Sequence, residues 1–434
     1  MTFSTTAYLV TLFLLLLQLL AAVPWVWVLF LPRGGALQAG RKFVALVQQG
    51  DPGARRTLLQ MAAAVIGVFA APWVFLAVVG ASSTLEAIGY FYGAVLQIQL
   101  LIDAFIVVFA LLLRYWPKGG AIALAAFREG VRQPMFWLLF GIAFAALTIS
   151  PFIPYWTFGE DFLVVREIGY DTILLIAAVF GALAASMSIS EEIEGRTAVT
   201  LMSKPVSRRH FLIGKFLGIV LAAGVLFALL GVYFEGITLF KPWWDKSDLP
   251  WWDQRNVTVV IPNENPAPPW IMNTLRRWAL PGATTDLLRG IGLWTHLMLD
   301  IAPGLVLGFS QMMVLVAIAV SLATRVPMVV NLVAVVVLFF LAHLAPVLVS
   351  IGYEAQRTHP GAAVSQILYF MAQLFDLVLP NLESFRLEPA LLQEMPISPV
   401  AFTQYLASVS LYGLLYTSIV LLFGLILFED RDLA

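Results

Sequence analysis

Met312-Met-Val-Leu-Val-Ala-Ile-Ala-Val-Ser-Leu-Ala-Thr-Arg-Val-Pro-Met-Val-Val-Asn-Leu-Val-Ala-Val-Val-Val-Leu-Phe-Phe-Leu-Ala342 holds a single charge, Arg325. The apolar sequence continues on both sides, giving runs at 297–323 and 326–352. About 20 apolar residues suffice to cross the roughly 30 Å hydrocarbon core as a helix. Helix is the form that satisfies every backbone polar group without water. Thr324-Arg325 then serves as the short connection between two membrane spans, with its charge at the surface.

Seven further runs qualify, at 7–31, 58–81, 90–113, 135–153, 172–189, 216–234 and 404–428. Apolar residues make up 61% of the 434 positions and charged ones 12%, whereas soluble domains carry about 45–50% and 25%. A soluble enzyme, a disordered chain and a fibrous chain are excluded as the leading class. The net charge of −1 gives no reason to expect a nucleic-acid partner. With no Cys, disulfides, zinc-thiolate and iron–sulfur sites are excluded. The first run lacks a basic flank and exceeds the apolar core of a signal peptide, so it reads as an uncleaved span.

The segments 32–57, 114–134, 190–215, 324–325 and 429–434 hold 16 of the 25 basic residues and 8 of the 26 acidic ones. By the positive-inside bias these face the cytoplasm, with the N-terminus outside and the C-terminus inside. Two outer loops are then long, 235–296 and 353–403. The first contains Lys241-Pro-Trp-Trp-Asp245 and Leu249-Pro-Trp-Trp-Asp253, whose paired Trp suit the headgroup layer. The run 362–380 is shorter and contains Asp376, and reads as a re-entrant or interfacial helix.

The connector between the fifth and sixth runs is Ser188-Ile-Ser-Glu-Glu-Ile-Glu-Gly-Arg-Thr-Ala-Val-Thr-Leu-Met-Ser-Lys-Pro-Val-Ser-Arg-Arg-His-Phe-Leu-Ile-Gly-Lys215. Ser190 suits a helix cap, and Glu191, Glu192 and Glu194 suit a first turn, where the helix dipole favours negative charge. Gly195 permits a break, and Lys204-Pro205 ends the next helical piece. The result is a stiff elbow, with Arg208 and Arg209 at the membrane surface. Upstream, Leu124, Phe127 and Val131 share one helical face, and Arg128 and Arg132 another. That amphipathic pattern suits a helix lying on the membrane surface.

The run Glu-Glu-Ile-Glu-Gly-Arg-Thr followed by Leu-Met-Ser-Lys-Pro-Val-Ser-Arg and Gly-Lys resembles the coupling segment of type-2 ABC transporter permeases. It is most similar to membrane subunits of nitrous-oxide-reductase maturation and gliding-motility exporters. Residues 121–133 resemble the interface helix of these permeases, and Leu379-Pro-Asn-Leu-Glu-Ser-Phe385 the segment before their last span. The resemblance covers residues 119–434. It implies an all-α polytopic membrane protein with a six-span exporter permease core and three extra N-terminal spans in residues 1–118. It implies a separate ABC nucleotide-binding ATPase subunit, a second permease chain (identical or not) and an inner-membrane location. The coupling residues would be Glu191, Glu192, Glu194, Gly195, Arg196, Thr197, Lys204, Pro205 and Arg208. Those of the interface helix would be Phe127, Arg128, Glu129 and Arg132. No catalytic residue, metal or cofactor is implied.

Gly214-Lys215 is not a P-loop, because Arg209 stands where the first Gly belongs and Phe216 where the hydroxyl belongs. ATP hydrolysis therefore falls to another subunit. Of His210, His296, His343 and His359, only His343 lies within a run, and it reads as a packing residue rather than a haem ligand. Asp103 reads either as an interhelical hydrogen-bonding group or as a proton- or cation-coupling site. The function expected is ATP-driven transport, probed against the alternative of a non-transporting scaffold that anchors an ATPase or an outer-surface assembly.

Overall fold

The computed structural model describes residues 5–30, 52–79, 84–153, 161–190, 192, 207–247, 273–274, 277, 282–359, 362–387 and 399–429. Eleven α-helices account for nearly all of these. They are α1 (Thr5–Phe30), α2 (Pro52–Val79), α3 (Thr84–Tyr115), α4 (Pro117–Arg132), α5 (Pro134–Ile149) and α6 (Asp161–Ala185). There follow α7 (Arg208–Ser247), α8 (Gly282–Ala323), α9 (Met328–Thr358), α10 (Ala363–Val378) and α11 (Pro399–Glu429). Among the described residues, eight helices are long and apolar enough to cross a membrane. The remaining expected span, 58–81, falls on the 28-residue α2. The chain is an all-α, multi-pass membrane protein.

Proline sets several boundaries. Pro117 and Pro134 open α4 and α5, where a missing N–H is harmless and φ is already helical. Gln133 before Pro134 is extended, at φ −65° and ψ 137°, and this breaks α4 from α5.

The helices form two compact units, Met1–Val108 with Thr258–Leu299, and Phe109–Val257 with Asp300–Ala434. The sequence places the division after residue 118 and leaves 235–296 as a loop; the structure differs on both points. Within the first unit, Gly89 and Gly290 let the start of α8 close onto α3, since a Cβ on Gly89 would lie 2.9 Å from the Gly290 Cα. Trp294 Nε1 donates to Gln97 Oε1 at 2.8 Å, and Tyr92 donates to the Leu14 carbonyl at 2.7 Å. The Oδ1 of Asp103 and the Oε1 of Gln99, one turn apart on α3, are buried without a hydrogen-bond partner. Neither reading of Asp103 gains a partner from that oxygen.

Within the second unit, α6, α7 and α8 are the most enclosed helices, whereas α9 and α11 present open apolar faces such as Val329, Val333, Leu415 and Ile419. Such faces need no protein cover in lipid, which is as apolar as they are. Leu307, Val314, Leu315, Ala342, Phe385 and Val409 meet in the core between α8, α9, α11 and the short 3₁₀ turn Glu383–Phe385. His343 is held by packing, as expected. Its Nδ1 lies 2.8 Å from the Phe339 carbonyl, and its Nε2 lies 3.2 Å from Gln311 Nε2.

Helices α6 and α7 both outrun their apolar windows. The run expected at 172–189 begins at Asp161, and the run 216–234 extends from Arg208 to Ser247. The charges that close those windows are paired inside the unit. Arg386 meets Glu167 and Asp171 at 2.7 and 3.0 Å. Lys241, 3% exposed, meets Asp245 at 2.7 Å and donates to the Pro151 carbonyl. The first Pro-Trp-Trp motif is thus helical, with Trp244 packed edge-on to Phe152; the second lies outside the described residues. Helix α10 has 16 residues, and at 1.5 Å each its length of about 24 Å falls short of the hydrocarbon core.

Candidate functional site

Helix α4 packs on α7 through small residues. Its buried positions are Gly119, Gly120, Ala123, Ala126 and Gly130. Gly119, Ala123, Ala126 and Gly130 meet Gly214, Gly218 and Ala222, spaced one turn apart on α7, whereas Gly120 lies against the Leu112 backbone. A Cβ on Gly214 would stand 2.9 Å from the Gly119 carbonyl oxygen, and one on Gly218 would stand 2.7 Å from Ala126 Cβ. Small residues at this spacing let two backbones approach, and close packing replaces the hydrophobic effect as the force joining helices in lipid. The apolar stripe expected to rest on the membrane is not the buried face. Leu124, Phe127 and Val131 are half-buried, and Phe127 contacts the Phe109 ring at 4.8 Å. Arg128 and Arg132 are exposed.

Where α6 ends, the chain widens into a π-helix, Ser186–Ser190. π-Turns occur frequently at functional sites. Asn331, fully buried, donates to Ser186 Oγ at 2.8 Å and to the Ala319 carbonyl at 3.0 Å. The Ser190 hydroxyl donates to the Ala323 and Val326 carbonyls at 3.1 and 3.3 Å. Ser190 thereby satisfies carbonyls left over at the C-terminus of α8 and in the turn after it; the helix it was expected to cap lies outside the described residues.

Lys215 is the hub of the site. Its side chain is 6% exposed, and Nζ lies 2.6 Å from Glu192 Oε1, 2.8 Å from Ser188 Oγ and 3.8 Å from Glu129 Oε2. Ser188 in turn donates to Glu129 Oε2 at 3.2 Å. An enclosed ammonium is tolerated only with partners of this kind. One lysine on α7 thus joins the interface helix, the π-helix and the first turn of the elbow. Of the expected site residues, Glu129 and Glu192 are brought together here. Glu192 meets α7 through Lys215.

Arg208 lies at the start of α7 and caps another helix. Its Nη1 donates to the Phe428 and Glu429 carbonyls, both at 2.6 Å, and Arg325 Nε donates to the Leu427 carbonyl at 2.8 Å. Two arginines from separate elements therefore close the negative end of α11. Glu191, Glu194, Gly195, Arg196, Thr197, Lys204 and Pro205 lie outside the described residues. Sequence reasoning missed Lys215, Ser188 and Asn331 as partners. A lone Lys inside a helical apolar run was the available signal for Lys215. Among the described residues, no group of His, Asp and Glu side chains could hold a metal ion.

No curated protein and no solved structure matches the chain. Residues 131–243 match the family model described as ABC-2 family transporter protein. The matched segment runs from the end of α4 through α6, the π-helix and the elbow to α7. Over that segment the chain is similar to ABC-2 family transporter proteins.

Proposed function

We propose that this chain is the membrane-spanning permease subunit of an ATP-driven ABC exporter. A separate nucleotide-binding subunit would hydrolyse the ATP, and a second permease chain would complete the pathway across the inner membrane. The elbow 188–215 would meet the ATPase on the cytoplasmic side, with the N-terminus outside and the C-terminus inside. One observation carries this reading: Lys215 fastens Glu192 of the elbow to both α7 and α4. A load on the elbow then reaches two packed helices at once. A freely hinged loop would dissipate it. Glu191, Glu194, Gly195, Arg196, Thr197, Lys204 and Pro205 would form the docking surface, and Arg128 and Arg132 its exposed flank.

Affinity purification of the tagged chain from its native membrane tests the proposal. A P-loop ATPase should copurify, and its ATP turnover should rise when the chain is present. Copurification without any change in turnover would favour a scaffold, and the absence of an ATPase would reject the permease reading.

A further inference from the structure

At the end of α6 remote from the π-helix, a cavity of about 150 Å³ opens between α6, α8 and the turn Glu383–Phe385. Leu163, Val164, Leu174 and Leu387 give it apolar walls, and Gly304, Gly308 and Gln311 line its α8 side. Arg166 and Asp171 stand at its polar rim.

Arg166 is incompletely satisfied. Its side chain is 11% exposed, and Nη1 lies 3.2 Å from Asp300 Oδ2. Nη2 makes two long contacts, 3.4 Å to the Asp300 carbonyl and 3.5 Å to Tyr170. Nε is buried and has no acceptor in the protein. A guanidinium carries five donors in a planar fork suited to carboxylate and phosphate, and buried donors left unmet are unfavourable. Asp171 is the opposite case. It is 53% exposed and shares Arg386 with Glu167. It lines the cavity together with Glu167 and Arg386.

We propose that this cavity binds the head of a zwitterionic amphiphile. Its anionic group rests on the Arg166 guanidinium and its cationic group on Asp171, with the first methylenes along Leu163, Val164 and Leu387. An anion alone would meet the carboxylates of Asp171 and Glu167. A cation alone would lie close to the guanidiniums of Arg166 and Arg386. Arg166 and Asp171 are five residues apart, about 7.5 Å along the helix axis, on the scale of the charge separation in such a head. The proposal does not rest on the coupling role of the elbow. Arg166 lies 22 residues before Ser188 on α6 and its π-helical end, about 33 Å away, and the two ideas are read by different measurements.

The test is native mass spectrometry of the full-length chain in a neutral detergent. It is titrated with lysophosphatidylethanolamine, lysophosphatidylglycerol or dodecyltrimethylammonium. The zwitterion should bind saturably, one per chain, at least tenfold more tightly than the other two. Arg166→Gln and Asp171→Asn should each weaken it at least tenfold, and Asp171→Asn should also narrow the gap to the anionic lipid. Leu163→Trp fills the mouth without touching a charge. It should weaken binding with an unchanged melting temperature, so the test survives if the Arg166 variant does not fold. Displacement by two-chain phosphatidylethanolamine would identify a bilayer lipid as the source; no displacement would identify a free amphiphile. Equal binding of all three probes, no saturable binding of the zwitterion, or binding unaffected by Leu163→Trp and Asp171→Asn would overturn the proposal.

Discussion

Arg208 holds Phe428 by two means: its guanidinium donates to the Phe428 carbonyl at 2.6 Å and lies 5.5 Å from the centre of the ring. The residues are 220 positions apart, so the contact ties the start of α7 to the end of α11. Arg208→Ala should cost about 1–3 kcal/mol, the range for charged hydrogen bonds to carbonyls that lose their partner. Amide exchange in the last turn of α11 should quicken, as read by hydrogen–deuterium exchange. Arg208→Lys should recover only part, because an ammonium cannot lie flat against the Phe428 ring as the guanidinium does.

Lys215 and Glu192 should behave as a coupled pair. Glu192→Gln removes a charge from an ammonium that keeps Ser188 and Glu129, and should cost about 1–2 kcal/mol. Lys215→Met leaves two carboxylates without their cation. In a double-mutant cycle read by thermal unfolding in detergent, the two changes should fall short of additivity by at least about 0.5 kcal/mol. Additive losses would mean that the contact contributes nothing.

Two glycines of α7 should respond in opposite directions. Gly218→Leu must push α4 away from the seam, at a cost of about 1–3 kcal/mol or more. A Cβ on Gly236 would meet no atom within 4 Å, so Gly236→Ala should stabilise by about 0.5–1 kcal/mol through helix propensity. Melting temperatures of the two variants decide the matter.

Elbow docking needs variants that spare the hub. Since Glu192 is bound to Lys215, the appropriate change is Glu191→Ala with Glu194→Ala. It should weaken pull-down of the ATPase while leaving the melting temperature alone. Exposed ion pairs contribute only about 0.2–1 kcal/mol each, so one substitution is too small a probe. Gly195→Pro keeps every charge but fixes φ and removes a donor. It should reduce stimulation of ATP turnover more than either single carboxylate change. Wild-type behaviour of both variants would reduce the elbow to a plain connector.

Sidedness has a simple readout, because the chain has no Cys. A cysteine at Ser247 should react with an impermeant reagent from outside, and one at Ser203 should not. The reverse pattern would place the elbow on the wrong side for a cytoplasmic ATPase.

The apolar runs made the number and kind of the helices legible, because hydrocarbon length and backbone satisfaction leave few options. Their ends were not. Arg166, Glu167 and Asp171 look like a surface segment until Asp300 and Arg386 supply their partners, and both partners are remote in sequence. The same holds for Lys241 and the first Trp pair. At the site, helix α4 was legible as an amphipathic pattern. The face that α4 buries was not, because Ala123, Ala126 and Gly130 register on no hydropathy scale as strongly as Leu124 and Phe127. Lys215 was visible as a residue and unreadable as a hub, since its three partners come from different elements.

Helix α7 has 40 residues and is therefore about 60 Å long, twice the thickness of the hydrocarbon it crosses. It is gripped near one end by Arg208, Lys215 and the glycine seam, and near the other by Lys241 on the Pro151 carbonyl. A rigid rod of that length that swings by about 5° about its middle carries its two ends some 2–3 Å in opposite directions. The seam against α4 is a natural fulcrum, and it lies close to the elbow, so the far arm is the longer one. A shift too small to break any contact beside Lys215 would be amplified at Lys241, where a hydrogen bond of 3.2 Å has little length to spare.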